Sequence, residues 1–364
     1  MQPHFFLNPI IAIKIAFGGC CYMTLDEELK LEQEKFGKRI KLGSEILYLT
    51  KADCIANGPS IDETIDVMTK TLIAHGKKEY EMPAKIGVHP YADVFYHAMP
   101  AYIPGQKVVG MKWIECYPRN PKEYNLPQTS SLLILNDVLS GYPIAIMDGA
   151  WLTSMRTPAK TAISAKFLHP NAETFGMFGC GVQGYEHVRF ITHHMDKLKK
   201  MYIYDVREEN MDRVIKELQP TTSVQLIKGE SFEQVAKSCE VLSSATFITR
   251  DCYSYVKREW VGKGQTILPV DLNTFFDYRI PLECDKYITD STDELNLFAD
   301  YYPNGVPTPA CETGEMLAGL ATGRDNPDQL IVCGNIGMAV DDMAMAKVIF
   351  DKALESGAGM VLPL

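Results

Sequence analysis

The chain has 364 residues, 46% of them hydrophobic and 23% charged, values of a folded globular protein and not of a disordered or collagen-like one. That length exceeds one simple core and predicts two domains. A formal net charge of -10, from 36 basic and 46 acidic residues, gives no general attraction to phosphate backbones and argues against nucleic acid as a main partner. The 10 cysteines form no CxxC pair and no Cys/His cluster at zinc spacing. Many lie inside apolar runs, so they read as reduced thiols in the core of a cytoplasmic protein, with no metal site expected.

In chain order, residues 5–22 are apolar but interrupted by Asn8, Pro9 and Lys14, with no cleavage pattern after a basic start. An N-terminal extension is expected there in preference to a membrane span or a signal peptide, because Met23 opens a charged helical stretch over 24–40. EILYL reads as a strand, and the run from Ser60 reads as an amphipathic helix whose capping box pairs Ser60 with Glu63. Short strands follow at VFYHAMPAYI, KVVGMKWIECY, SSLLILND and IAIMDG. At residue 151 the pattern changes to a helix, WLTSMRTPAKTAISAKFLH, and then to strand-helix alternation. Strands are expected at TFGMFG, MYIYDV, SVQLIKG, EVLSSAT, TILPVD and KYITDS, with helices between the earlier ones. Alternation of this kind implies parallel strands with crossover helices and hence a doubly wound sheet. The C-terminal run AVDDMAMAKVIFDKALESG predicts a helix that returns to the first domain.

The strongest local signal is Gly179-Cys180-Gly181-Val182-Gln183-Gly184, between an apolar strand and a helical run. Glycines there allow a tight turn and let the backbone approach a pyrophosphate, held by amides at the helix N-terminus. Asp205 ends the next strand about twenty residues further on, where a carboxylate accepts ribose hydroxyls; the alternative is a helix N-cap. A carboxylate there also repels the 2'-phosphate of NADP, so NAD is the expected cofactor. Arg207 either attracts that phosphate or is a solvated surface charge. Arg156, followed by small and hydroxyl residues on a helix, reads either as a bidentate clamp on a carboxylate or as half of a surface salt bridge.

LTSMRTPAKTAISAKFL followed by FGMFGCGVQG resembles the ornithine cyclodeaminase and mu-crystallin family, with its LTxxRT helix leading into a GxGxQ turn. PAKIG, HAMPAYI, GMKWIECYPRNP, ILPVD, GEMLAGLATGR and GNIGMAVDDMAMAKVIFDKA fall in family order, so the resemblance covers about residues 45–364. It implies an NAD(P)-dependent enzyme acting at the Cα–N bond of an amino acid or at the corresponding imine, with hydride passing between Cα and the nicotinamide. Cyclodeaminases, which are redox-neutral, and non-catalytic dinucleotide or small-ligand binders such as mu-crystallin are the alternatives. The resemblance assigns Arg156 to the substrate carboxylate, Lys112 beside it, and Asp271 as a base or orienting group at a strand end. Lys85 stands where many members carry a carboxylate-binding arginine, and His97 where ornithine cyclodeaminases place a glutamate. Outside the resemblance, Asp271 reads as a helix cap, Lys112 as a solvent-exposed strand lysine and His97 as a packed strand histidine. Phe275 and Phe276 read equally as site walls or as core. The expected cofactor-binding set is Gly179, Gly181, Val182, Gln183, Gly184, Asp205 and Arg207, with Thr157, Ala245 and Thr246.

The fold class expected is α/β. A Rossmann-type doubly wound domain over 152–324 joins a mixed α+β substrate and dimerisation domain over 45–151. Residues 1–44 form an N-terminal extension and helix, and 325–364 a C-terminal segment returning to the first domain. A homodimer is expected, since the family shares that architecture and the exposed apolar strands before 151 need covering.

Overall fold

The computed structural model describes residues 23–91 and 93–364; the extension over 1–22 lies outside the described residues. The first part of the chain runs through α1 (Leu25–Gly37), β1 (Glu45–Leu49), α2 (Lys51–Ala56), α3 (Ile61–Gly76), β2 (Ile86–Val88), β3 (Phe95–Ile103), β4 (Val108–Cys116), α4 (Asn120–Glu123), β5 (Thr129–Asn136) and β6 (Pro143–Asp148). The capping box expected at Ser60 and Glu63 starts α3. Strands β3 to β6 form an antiparallel meander, to which β1 adds in parallel. Along β3 and β4 burial alternates with period 2, so Met99, Ala101 and Ile103, with Gly110, Lys112 and Ile114, face inward.

α5 (Ala150–Leu168) leads into the second sheet and is buried on nearly every face, as a helix at the centre of a molecule must be. Then come β7 (Thr174–Phe178), α6 (Val182–His194), β8 (Lys200–Tyr204), α7 (Glu208–Leu218), β9 (Gln225–Lys228), α8 (Phe232–Ser238), β10 (Val241–Ser244), β11 (Thr266–Pro269), α9 (Arg279–Glu283), β12 (Lys286–Thr289), α10 (Thr292–Leu297), β13 (Cys311–Glu312), α11 (Thr313–Leu317) and β14 (Ile331–Gly334). All pairs in this sheet are parallel, in the order β13-β12-β14-β11-β10-β7-β8-β9. Strand order reverses between β7 and β10, and the crevice beyond their C-terminal ends is where a doubly wound sheet binds its ligand.

The sequence-based division at residue 324 falls before β14, which lies between β11 and β12 inside this second sheet. Its four buried residues, IVCG, carry no alternation that would mark them as a strand. Beyond it, α12 (Ala339–Ser356) packs on β3, β4, α3 and α5, and β15 (Met360–Pro363) adds to the first sheet antiparallel to β1. The C-terminal segment therefore serves both sheets. The described cysteines are free thiols, and no described helix is long and apolar enough to cross a membrane.

Candidate active site

The glycine turn has the shape that a pyrophosphate requires. Gly179 sits at φ +89°, and a Cβ on Gly184 would stand 1.9 Å from the Gly179 carbonyl oxygen, so neither position accepts a larger residue without moving the backbone. Gly181 caps α6 without a side-chain hydrogen bond, and nothing stands within 4 Å of where its Cβ would be. The first-turn amides of α6 thus face open space, with the helix dipole behind them. Asp205, half-buried at the end of β8, accepts from the Cys180 amide at 2.8 Å and the Arg207 amide at 2.9 Å, which fixes it beside the turn with acceptor capacity on both oxygens. Arg207 contributes only that amide, and its side chain is exposed. Val182 is 71% exposed on the rim. Gln183 reaches from the turn to the Thr153 carbonyl of α5, and Ala245 brings its carbonyl oxygen against Gly179.

Beside this turn, a cleft is lined by Arg156, Thr157 and Lys160 of α5, by Leu268, Pro269 and Val270 of β11 and its end, and by Asn335 and Gly337 beyond β14. Arg156 and Lys160 stand one helical turn apart on the same face of α5. Behind them is a buried network of opposite charges. Asp342, in the first turn of α12, accepts from Arg156 Nε at 3.2 Å and stands 2.5 Å from Lys112 Nζ of β4. Lys160 pairs with Asp290, at the end of β12, and with Asp341 at 2.7 Å. Lys85 donates to the Gly337 carbonyl at 3.0 Å and lies 3.4 Å from Glu294 of α10. Desolvation makes such charges costly unless paired, and each of these has a partner.

The electrostatic consequences differ by residue. Burial lowers the Lys112 pKa to about 8, with Asp342 opposing and Arg156 and Lys85 adding repulsion. Arg156 stays charged, because Asp342, Asp341 and Asp290 outweigh its burial. His97 is pushed to about 3 by burial and by Lys85, His89 and Lys112, so it is a neutral imidazole. It stacks on Phe95 with centroids 4.2 Å apart and meets Phe298 edge-on at 5.8 Å.

Lys112 is fully buried and not a solvent-exposed strand lysine. Asp271 caps no helix: its carboxylate accepts from Ser244 Oγ at 2.6 Å, from the Thr246 amide at 3.0 Å and from Thr246 Oγ1 at 2.5 Å, tying the ends of β10 and β11 together. Burial raises its pKa against those hydrogen bonds. Thr246 is likewise committed to Asp271. Phe275 and Phe276 are core, 2% and 3% exposed, packed on Phe178 with Phe232 and Tyr255 nearby. Sequence reasoning missed Lys160, Asp290, Glu294, Asp341 and Asp342. The available signal is charge inside helices otherwise too apolar to be solvated, as in TPAKTAISA and AVDDMAMA.

The sequence profile of the ornithine cyclodeaminase/mu-crystallin family matches residues 49–357. The chain belongs to this family. It is 28% identical over 329 residues to the nodulation efficiency protein NfeD of Rhizobium meliloti, covering 87% of this chain and 98% of that one. It is 29% identical over 328 residues to an alanine dehydrogenase of Archaeoglobus fulgidus, covering 86% and 97%. The solved structure of an archaeal alanine dehydrogenase dimer with bound NAD superposes with a TM-score of 0.78 at 28% identity, over 87% of this chain and 99% of that one. The α/β fold and the family expected from sequence are thus correct.

Proposed function

We propose that the chain is an NAD-dependent oxidoreductase acting on the Cα–N bond of an amino acid or of the corresponding imine. The observation that carries this reading is a glycine turn tied through Gln183 to α5, together with a buried Arg156–Asp342–Lys112 cluster whose Arg156, on that same helix, lines the cleft. NAD, when bound, supplies the hydride acceptor. Gly179, Gly181 and Gly184 admit its pyrophosphate, and Asp205 receives the ribose hydroxyls. Arg156, its Nε fixed by Asp342, presents its terminal nitrogens to the substrate carboxylate. Lys112 exchanges a proton with the substrate nitrogen: in the oxidative direction nitrogen loses a proton, Cα loses hydride and an imine remains. Its lowered pKa near 8 suits that exchange at neutral pH. The family resemblance puts Asp271 first as base or orienting group, but three donors occupy its carboxylate, so here it shapes the crevice through Thr246 and Ser244. NADH fluorescence over a panel of amino acids, and over 2-oxo acids with ammonia, tests the reading. Ammonia release with no net NADH would instead mark a redox-neutral cyclodeaminase, and ligand binding without turnover a binding protein.

NAD(H) is expected to bind at least about tenfold more tightly than NADP(H), a gap of about 1.4 kcal/mol, because the Asp205 carboxylate repels a 2'-phosphate. Equal dissociation constants in a calorimetric titration would show that Arg207 offsets it.

The active form is a homodimer. On the open face of the first sheet Trp113 and Leu132 pair across β4 and β5, 39% and 50% exposed, with Ile86 at 71% and Val88 at 57% on β2. Apolar surface of that kind needs a partner, and the similar archaeal alanine dehydrogenase is a dimer. Sedimentation at micromolar concentration is expected to give twice the chain mass; a monomer would contradict the assignment. A cytoplasmic location fits the free thiols.

A further inference from the structure

We propose that Glu294 restricts the site to amino or imino acids that carry one carboxylate and an uncharged side chain. This rests on the oxidoreductase reading above and names its substrate class. The argument is a local count of charge. Around Asp342 stand Lys112 and Arg156 against one carboxylate, so at most one positive charge, present while Lys112 holds its proton, is left over there. Around Lys160 there are two carboxylates, Asp290 and Asp341, whose surplus is met by the backbone amides of Ile336, Gly337 and Met338. The remaining cation, Lys85, is 5% exposed and faces Glu294, 1% exposed.

That last pair has no net charge whichever partner holds the proton. Burial lowers the Lys85 pKa and raises that of Glu294, so both shifts run toward the neutral form. One carboxylate of a substrate therefore satisfies the site, through the terminal nitrogens of Arg156. A second carboxylate finds no uncommitted cation, since Lys85 is held by Glu294 and by the Gly337 carbonyl. A distal ammonium finds no carboxylate without a cation, since Glu294 already faces Lys85, Asp342 faces Lys112 and Arg156, and Asp290 and Asp341 face Lys160. Next to Lys85 the walls are uncharged: the Phe298 ring lies 4.9 Å from its Nζ, and the neutral His97 packs between Phe298 and Phe95. Burying an unpaired charge against them is strongly unfavourable.

The test compares kcat/KM for alanine, valine and phenylalanine with that for aspartate, glutamate, ornithine and lysine. The best neutral substrate is expected to exceed every charged one by about a hundredfold or more; a charged amino acid as the best substrate overturns the proposal. In Glu294→Gln, Lys85 is released, and kcat/KM for aspartate or glutamate relative to the neutral substrate is expected to rise at least tenfold. A variant that folds and keeps the wild-type ratio overturns the role of Glu294. If Glu294→Gln does not fold, the wild-type ratio still decides the substrate class, and Lys85→Met, expected to leave dicarboxylates rejected, checks the cation. Calorimetric titration of the NAD-loaded protein with pyruvate and with 2-oxoglutarate reads the same charge preference without turnover. Selective pyruvate binding with no hydride transfer would defeat the oxidoreductase reading and leave the charge selection standing. Equal binding of both would defeat the selection alone.

Discussion

Lys112→Met is expected to slow the chemical step by roughly a hundred- to ten-thousandfold, the range typical of lost general acid-base assistance. Methionine, an unbranched chain one atom shorter than lysine, fills most of the fully buried slot, and Arg156 still pairs with Asp342, so no carboxylate is stranded. NAD affinity should survive. The wild-type rate of amino-acid oxidation should rise with pH through about 8, as the Lys112 ammonium gives up its proton. The variant should lose that limb of the profile. Single-turnover rates separate chemistry from product release. A rate within a few fold of wild type, with the limb intact, would return Asp271 to the position of base.

Asp342→Asn is expected to destabilise the fold by about 3–5 kcal/mol, the usual consequence of removing one member of a buried ion pair. It leaves Lys112 and Arg156 facing each other across a site that is 0% exposed at Lys112 and 8% at Arg156. Burial works to raise the Asp342 pKa, but Lys112 and Arg156 outweigh it and hold the carboxyl below its ordinary range. A group whose folded pKa is depressed stabilises above its unfolded value and loses that contribution as pH falls through the folded one. The gap between wild type and variant should therefore be full at neutral pH and shrink in acid. Denaturant unfolding across that range checks both parts; a gap under about 1 kcal/mol at neutral pH would mean that water or another carboxylate screens the two cations. With Arg156 no longer aimed by Asp342, KM should also rise more than kcat falls.

The second sheet was legible because its strands alternate with helices whose apolar periodicity is regular, and because Gly179 to Gly184 is a local pattern with a local cause. β14 and β15 were not legible. Each is four residues long, one wholly buried and the other wholly exposed, so neither shows the alternation that marks a half-buried strand. Lys112 and Lys85 were reached through family resemblance, which also decided between the two readings of Arg156, and their surroundings were not reached at all. Arg156 and Asp342 are separated by 186 residues, and Lys85 and Glu294 by 209. Pairing over such distances leaves no spacing to read. Phe275 and Phe276, which read equally as site walls or as core, are core: both pack against Phe178 of β7, and Phe275 also meets Phe232 of α8.

The central claim is that hydride passes from Cα of an amino acid to NAD in this site. The most direct measurement is turnover of alanine deuterated at Cα, with the resulting NADH analysed by mass spectrometry. One deuterium per NADH, formed in step with pyruvate and ammonium, is the predicted result. Unlabelled NADH, or release of ammonia from any amino acid with the cofactor returned unreduced, would contradict it.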